Sequence, residues 1–303
     1  MDLRWLFDLH TVLYQECKDS NVSIYLGQAV QSYDQTQQNL TIQFENGESL
    51  EADLLIGADG IKSKVQACML GQTPAQFTGQ VAWRGVVDAN KLPQGLIKPN
   101  ANLWVGQGKH FVSYYLRGGD LVNFVAVQER SDWQKESWNE AGDINELRET
   151  FSGWHPEVTE LLAASEQCFL WALFDRQPLS QWVDKNVALL GDACHPMLPF
   201  FAQGAAMAIE DSYALAHSLA NQNDSQIGAF LHALKTYQKI RITRASEIQL
   251  GARKNASLYH MSSPLEQAKL AVLSGLSSIG LSDAVAANKL DSIYAYNIVE
   301  QLS

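Results

Sequence analysis

The stretch VALLGDACHPMLPFFAQGAAMAIEDSYALA, residues 187–216, decides most of what the sequence predicts about the fold. An apolar run ends at Gly191-Asp192, passes two prolines and opens a segment of small residues at Gly204. Continuous apolar runs are typical of strands that are covered on both faces, and proline restricts the backbone of the loop that follows. The pattern predicts a buried strand, a rigid loop and a helix that begins with small residues.

A second apolar run, DLLIGADG at residues 53–60, ends in the same way at Asp59-Gly60. In open α/β sheets, ligands bind beyond the carboxyl ends of the strands. Glycine lets a ligand approach the backbone, and an aspartate at this place accepts hydrogen bonds from ribose hydroxyls. The alternative is structural, because an aspartate after a strand also turns the chain and caps a helix. Two such ends in one chain favour a ligand site.

The helix that opens at Gly204 and Ala205 has no bulky side chain in its first turn. Free N–H groups at a helix start favour anionic oxygens. The negative edge of a reduced flavin is a ligand of this kind. The alternative is close packing of the helix on a sheet, which also favours glycine and alanine, and the residues alone leave both open.

The composition limits the class of protein. The chain has 303 residues and a net charge of −11, and Lys and Arg form no basic stripe, so we expect no nucleic-acid partner. Four scattered cysteines lack metal-ligand spacing, which predicts reduced thiols in a cytoplasmic protein and no metal site. No run reaches the roughly 18 apolar residues of a membrane span. The nearest, at residues 268–281, predicts a packed helix, with a homodimer contact as the alternative.

The pattern changes along the chain. The first dozen residues predict an amphipathic helix, and short strands follow, including VSIYL at residues 22–26, with a hairpin turn at Asn46-Gly47. Residues 72–182 alternate aromatic and polar residues between glycine turns, which predicts an antiparallel sheet with one covered face. The sequence after Gly204 predicts helices.

Two stretches, GADGIKSKV at residues 57–65 and GDACHPMLPFFAQGAAMAIEDSYALA at residues 191–216, closely resemble motifs of the FAD-dependent aromatic hydroxylases. These are single-component flavoprotein monooxygenases, and the salicylate hydroxylase and 6-hydroxynicotinate 3-monooxygenase types are the most similar. VAWRG, HFVSYYLRGGDLVNFVAV and LDSIYAYN extend the resemblance over nearly the whole chain.

The resemblance implies an α/β (α+β) fold like that of these hydroxylases, with an antiparallel substrate domain and C-terminal helices. It implies FAD as cofactor, NADH or NADPH as reductant, O2, and a small aromatic substrate of the hydroxybenzoate or hydroxypyridine type. The implied domains are a FAD-binding part at residues 1–71 and 183–222, the substrate domain at 72–182 and a helical region at 223–303.

The resemblance also assigns residues to the cofactor. Asp192 would contact the ribityl or pyrophosphate region of FAD, and Gly204 with Ala205 the isoalloxazine edge. Asp59 and Gly60 would support both FAD and NAD(P)H. The full predicted cofactor set is Asp59, Gly60, Gly191, Asp192, Pro199, Gly204 and Ala205.

The predicted substrate site lies in the β-rich middle. His110 and Tyr114 are four residues apart, so both face one side of a strand, and the resemblance implies that they assist deprotonation of the substrate. The alternative is an exposed His on a Tyr-rich sheet face. Arg84 would pair with a substrate carboxylate through its guanidinium fork, or form a surface ion pair. His195 is predicted to be structural.

Three residues depart from the family pattern: Gln66 replaces an Arg, Tyr115 a Pro, and Phe200 a His of the hydroxynicotinate type. Phe200 would therefore present an apolar wall to the substrate, which leaves the substrate open.

The G-x-G-x-x-G turn that holds a dinucleotide pyrophosphate does not occur in the 303 residues. The segment from Gly106 to Gly108 comes nearest, but Phe111 takes the place of the third glycine, and the pattern predicts a hairpin. We therefore expect an N-terminally truncated form of such a hydroxylase. Two alternatives stay open: a non-catalytic remnant or binding module, and a related flavin halogenase or reductase.

Overall fold

A computed structural model of the chain describes residues 4–36, 39–71, 74–132, 140–221, 227–260 and 292–303. The chain divides into two compact units. The first, here called the β-rich unit, consists of Met1–Leu26, Phe77–Phe174 and Leu258–Ser262. The second, here called the Gly-Asp unit, consists of Gly27–Gln76, Asp175–Ser257 and Ser263–Ser303. The functional division into a FAD-binding and a substrate domain stays a prediction.

The β-rich unit is built on a six-stranded sheet. Its strands are β5 (Gln76–Asp88), β6 (Asn102–Gly106), β7 (Lys109–Leu116), β8 (Leu121–Glu129), β9 (Ala141–Gly142) and β10 (Cys168–Asp175). They lie in the order β6-β7-β8-β5-β10-β9, and the pairs β5–β8, β6–β7, β7–β8 and β9–β10 are antiparallel. The predicted antiparallel sheet is present. The Gly106–Gly108 segment forms the predicted hairpin, because Gly106 pairs with Lys109 across it.

Helices cover one face of this sheet. The unit contains α1 (Arg4–Asp19), α3 (Ile144–Thr150) and α4 (Pro156–Ala164). Leu147 and Leu161 of α3 and α4 share a fully buried cluster with Trp83, Phe111 and Phe124 from three strands. Side chains alternate between the two faces of a strand, so the neighbours of these aromatic residues point to the opposite face. The polar residues of that opposite face form the candidate site of the β-rich unit.

The Gly-Asp unit contains two three-stranded sheets. One consists of β1 (Val30–Gln35), β2 (Leu40–Phe44) and β3 (Ser49–Ala52), and the other consists of β4 (Leu55–Gly57), β11 (Val183–Asp184) and β12 (Val187–Leu189) in the order β11-β12-β4. The helices are α2 (Lys64–Leu70), α5 (Gly204–Ala220), α6 (Ile227–Tyr259), whose end belongs to the β-rich unit, and α7 (Ile298–Leu302). β4 and β12 are parallel neighbours, with Leu189 paired to Gly57.

Most predicted elements are present, and one is wrong. The helix at the start of the chain, the turn at Asn46-Gly47 and the helices after Gly204 lie where the sequence predicts them. The predicted strand at residues 22–26 is absent from the described backbone, where Tyr25 and Leu26 are 75% and 83% exposed. A strand needs a hydrogen-bonded neighbour, and no described strand pairs with this segment. The predicted helix at 268–281 lies outside the described residues.

None of the described helices carries an apolar stretch of the length needed to cross a membrane.

Candidate functional site

The two Gly-Asp strand ends lie side by side. β4 and β12 run parallel, and the backbone N–H of Leu190 donates to the carbonyl of Gly57 at 2.9 Å. The segments Asp59-Gly60 and Gly191-Asp192 therefore leave the sheet at the same edge. The sequence predicted two buried strands that end in glycine and aspartate, and the structure adds that they are paired neighbours.

Gly191 fixes the second strand end against helix α5. Its φ of +61° lies in the left-handed region, and a Cβ built on it would meet the Cβ of Ala208 at 3.2 Å. Its backbone N–H donates to Oδ2 of Asp211 at 3.1 Å. A larger residue at 191 would strain the backbone and press on α5, so the glycine is required by the turn and by the packing.

Asp192 follows this turn and is exposed. Among the residues the structure describes, no group donates a hydrogen bond to its carboxylate. Partial loss of hydration beside the surrounding atoms raises the pKa of the carboxyl, and the charge of His195 opposes that shift. The side chain therefore has its hydrogen-bonding capacity available at the end of β12, as expected for a ligand contact.

Asp59 has a structural partner. Its Oδ1 accepts from the Ser63 hydroxyl at 2.5 Å, and its Oδ2 accepts from the N–H groups of Lys64 and Val65 at 2.7 and 3.2 Å. The carboxylate thus caps helix α2, which is the alternative that the sequence left open. Gly60 has a φ of +78° and no atom within 4 Å of a built Cβ, so its glycine serves the turn. A cofactor role for the pair stays a prediction.

Helix α5 begins at Gly204, as the sequence predicts. A Cβ built on Gly204 would meet only Met197, at 3.9 Å, and Ala205 is exposed. A side chain at 204 would therefore have room, and Gln203, which precedes the helix, makes no side-chain hydrogen bond to the N–H groups of the first turn. Pro199 starts a short 3-10 turn before the helix, and Phe200, in that turn, is 7% exposed. The close-packing alternative does not apply to Gly204, although it does apply to Gly191.

A buried ion cluster lies behind this loop. His195 Nε2 is 2.5 Å from Oδ2 of Asp211, and Arg241 Nε donates to Oδ1 of Asp211 at 2.8 Å. Arg241 also pairs with Glu210 at 2.6 Å. Although burial raises the pKa of Asp211, the hydrogen bond from His195 and the charge of Arg241 outweigh it and lower the pKa. His195 is therefore structural here, as predicted, and it anchors the Gly191 turn through Asp211.

The same cluster is the one place in the described chain where His, Cys and acidic side chains come close enough to share a metal ion. The ligand atoms of Cys194, His195 and Asp211 lie within 4.8 Å of one another. Both carboxylate oxygens of Asp211 already accept hydrogen bonds, including one from Arg241. A metal ion would have to displace the guanidinium partner, so the geometry favours an ion-pair cluster.

The β-rich unit carries a candidate site of its own, on the face of the six-stranded sheet that lies opposite α3 and α4. The strand register places Arg84 beside Val125, Tyr114 beside Asn123, and His110 beside Val127. The polar residues on this face include Arg84, His110, Tyr114 and Asn123. His110 and Tyr114 are roughly 13 Å apart along β7, and the Arg84 row lies between them, so the face offers separate polar groups around an apolar centre.

Arg84 is buried rather than superficial. It is 8% exposed, its guanidinium carbon is 5.1 Å from the centre of the Trp171 ring, and burial lowers its pKa. The surface ion-pair alternative is therefore wrong. Arg84 is thus a buried cation beside an indole, and a guanidinium is the group that pairs with a carboxylate through two donors.

His110 and Tyr114 lie on one strand and one face, as predicted. His110 is 2% exposed, so the alternative of an exposed His is wrong. Burial, together with the neighbouring His260, lowers the pKa of His110 to about 3. Burial also raises the pKa of Tyr114. His110 is therefore a neutral imidazole at neutral pH, and its ring contacts His260 at 2.7 Å between Nδ1 and Nε2.

A family model described as FAD binding domain matches residues 7–250. The chain belongs to this family. The 3-amino-4-hydroxybenzoate 2-monooxygenase PtmB3 of Streptomyces platensis is 37% identical over 222 residues, which cover 73% of this chain and 55% of the relative. The 3-hydroxybenzoate 6-hydroxylase 2 of Aquipseudomonas alcaligenes is 35% identical over 256 residues, which cover 84% of this chain and 78% of the relative. A salicylate hydroxylase structure with bound substrate has a TM-score of 0.77 at 26% identity, covering 96% of this chain and 74% of that one.

These matches confirm the predicted resemblance to FAD-dependent aromatic hydroxylases and the predicted fold class. This member of the FAD-binding domain family spans about half the length of the Streptomyces relative.

Sequence reasoning missed several residues of this FAD-binding domain protein. Glu210 and Asp211 carried a signal, because they share the buried face of α5 with Met207, Ala214 and Leu215, at helical spacing. Acids on an apolar helix face predict a buried partner. Asn123 was also detectable as a polar residue on a strand beside Tyr114, once strand pairing is known. His260 gave no signal, because 150 positions separate it from His110.

Proposed function

We propose that this chain belongs to a FAD-dependent monooxygenase that uses NADH or NADPH and O2 to hydroxylate a small aromatic substrate of the hydroxybenzoate or hydroxypyridine type. The observation that supports this most is the buried polar face of the six-stranded sheet. Arg84, His110 and Tyr114 share that face, in a chain whose relatives include two hydroxybenzoate monooxygenases.

The residues at the strand ends fit FAD. Asp192 offers a carboxylate without a described partner, and at the start of α5 Ala205 is exposed and Gly204 is not closely packed. The carboxylate suits the hydroxyls of a ribityl chain, and the N–H groups suit an anionic ring edge. When bound, FAD supplies the redox chemistry that activates O2, which no side chain provides.

On the sheet face, each polar residue has a task in this proposal. Arg84 binds the substrate carboxylate through two parallel hydrogen bonds. His110, assisted by Tyr114, removes the proton of the substrate hydroxyl, which makes the ring richer in electrons for hydroxylation. Burial of His110 keeps competing water away from this proton. Phe200 is proposed as an apolar contact for the substrate.

The test uses the protein expressed from its full reading frame and loaded with FAD. NADH or NADPH oxidation is followed with and without 3-hydroxybenzoate, and the product is identified by mass spectrometry. We expect substrate-stimulated oxidation and a product that gains one oxygen. Arg84→Met should raise the KM for 3-hydroxybenzoate by roughly 10- to 150-fold, because a hydrogen bond to a charged group is lost. Oxidation without a hydroxylated product from any hydroxybenzoate or hydroxypyridine would refute the proposal.

One observation favours a second candidate, a binding module without activity. The 303 residues contain no G-x-G-x-x-G turn, and that turn holds the pyrophosphate in dinucleotide-binding folds. The DNA immediately upstream separates the two candidates. An in-frame strand–G-x-G-x-x-G–helix segment supports the enzyme, whereas its absence supports the binding module.

A further inference from the structure

Two buried histidines of the β-rich unit are joined directly. His110, in β7, is 2% exposed, and His260, just after α6, is 5% exposed. Nδ1 of His110 lies 2.7 Å from Nε2 of His260, and the ring centres are 4.9 Å apart. At that distance the two nitrogens share one hydrogen bond.

The other nitrogen of His260 leads toward solvent. Its Nδ1 lies 3.2 Å from Oε1 of Glu129, whose side chain is 55% exposed. The amide of Gln80 lies 3.2 Å from the same Nδ1. The Glu129 carboxylate, the His260 ring and the His110 ring thus form a continuous line of hydrogen-bonding groups from the surface to the buried polar face of the sheet.

The hydrogen-bonding partners set the direction of this line. An ionised carboxylate only accepts, so Nδ1 of His260 carries a hydrogen and donates it to Glu129. In a neutral ring Nε2 then accepts, so Nδ1 of His110 is the donor in the shared bond. The lone pair of His110 is consequently on Nε2. Turning the Gln80 amide over places its Oε1 beside the His260 N–H, and the two amide orientations are not distinguished by shape.

We propose that Glu129 and His260 position His110 and carry away the proton that it removes from the substrate hydroxyl. This rests on the function proposed above. The substrate O–H bond breaks, and its proton goes to Nε2 of His110. The Nδ1 proton of His110 passes to Nε2 of His260, and the Nδ1 proton of His260 passes through Glu129 to water. Both rings end neutral, and the shift runs backward when the product takes up a proton.

The line of hydrogen bonds from His110 to Glu129 explains how so weak a base as His110 can remove the substrate proton. Burial and His260 lower the pKa of His110 to about 3, and burial also lowers the pKa of His260. An isolated base of that strength would not hold a phenol proton at neutral pH. A concerted shift leaves no charge on either ring, because the proton leaves at the exposed carboxylate. Besides these groups, Tyr259 faces His110, with ring centres 5.2 Å apart.

The first experiment determines which ring nitrogen of His110 and of His260 carries the hydrogen, and it does not require an active enzyme. Histidine labelled with 15N is incorporated into the full-length protein, with and without FAD, and NMR shifts report which ring nitrogen carries the hydrogen. We expect Nδ1–H on both His110 and His260 at neutral pH. Glu129→Gln should weaken that preference in His260, whereas Glu149→Gln, an exposed change in α3, should not. A hydrogen on Nε2 of His260 would overturn the proposal, whether or not the protein is a hydroxylase.

The second experiment measures proton release. The FAD-loaded protein is mixed rapidly with 3-hydroxybenzoate in weak buffer, and a pH indicator records the proton while absorbance records the phenolate. His260→Ala should slow both by roughly 100-fold or more, with substrate affinity within a factor of about two. The exposed His10→Ala is the matched control and should behave as the parent. Added imidazoles should restore the rate in proportion to their basicity.

The outcomes separate the two proposals. A parent protein that hydroxylates 3-hydroxybenzoate while His260→Ala releases its proton as fast as the parent refutes the proton chain alone. Rescue that is independent of the basicity of the imidazole also refutes it, because it would show that His260 merely fills space. Expected tautomers in a protein that hydroxylates nothing would leave the hydrogen-bonded chain in place and refute the proposed function.

Discussion

Replacing Asp211 by asparagine is expected to lower the free energy of unfolding by about 3–5 kcal/mol, the cost of breaking a buried ion pair. Asp211 is 0% exposed, and each group around it donates: the Gly191 N–H, His195 and Arg241. Asparagine keeps the volume but replaces one acceptor oxygen by an NH2 group. Because the Gly191 N–H and the Arg241 guanidinium never accept, either orientation of the amide sets a donor against a donor.

Urea unfolding followed by circular dichroism measures the effect. At a slope of about 3 kcal/mol per molar urea, a loss of 3–5 kcal/mol moves the midpoint down by about 1–2 M. Asp53→Asn, an exposed change in the same unit, is the matched control and should leave the midpoint in place.

The pH dependence gives a second signature. The pKa of Asp211 is lowered in the folded protein, so its stabilisation is present above the unfolded value near 3.9 and is lost as the pH falls through the folded value. Asp211→Asn should therefore remove part of the acid sensitivity. A variant with the midpoint and acid sensitivity of the parent would show that Asp211 does not hold the Gly191 turn.

Four further outcomes are expected. Asp192→Ala should weaken FAD binding by roughly 10- to 150-fold, because hydrogen bonds to a carboxylate are lost, and a flavin fluorescence titration that finds unchanged affinity would contradict the assignment. Tyr114→Phe should slow hydroxylation and leave FAD affinity unchanged, and equal loss of both would place the residue at the cofactor. The pKa of His110 is about 3 in the folded protein against 6.5 for an unperturbed histidine. The free energy of unfolding should therefore fall as the pH drops from about 6.5 toward 3, by up to about 1.4 kcal/mol per pH unit. His110→Gln should flatten this pH dependence, as measured by urea unfolding at each pH. The 303-residue chain expressed by itself should purify without flavin absorbance, because it has no G-x-G-x-x-G turn, and a stoichiometric yellow product would mean that another segment holds the pyrophosphate.

Local sequence patterns predicted those strands, turns and helices whose positions depend on neighbouring residues in the sequence. The run at residues 187–192, the hairpin at Gly106–Gly108 and the start of α5 are set by apolar runs, glycine and small residues, and each is present. The strand predicted at residues 22–26 is absent because alternating apolar residues form a strand only beside a partner strand. The local sequence does not show whether such a partner lies nearby.

The candidate site was predictable only residue by residue. The motifs predicted Asp192, Gly204 and Asp59 alike as cofactor contacts, and they could not indicate that the oxygens of Asp59 are occupied by the start of α2. That distinction depends on which donors lie nearby in three dimensions. The contact between His110 and His260 depends on how the end of α6 returns to the β-rich unit, and no periodicity records it.

The parallel pairing of β4 with β12 has a consequence for biosynthesis. Leu55 pairs with Val187, so a ribosome that adds 5–20 residues per second completes the second strand roughly 7–26 s after the first. The strands of the β-rich unit are made within that interval and, being mostly joined to neighbours in sequence, they can close early. During the wait the apolar segment at residues 54–57 has no β12 to pair with. A nascent chain stalled between Asp175 and Val187 should therefore recruit chaperones at this segment, and release past Leu189 should end the recruitment.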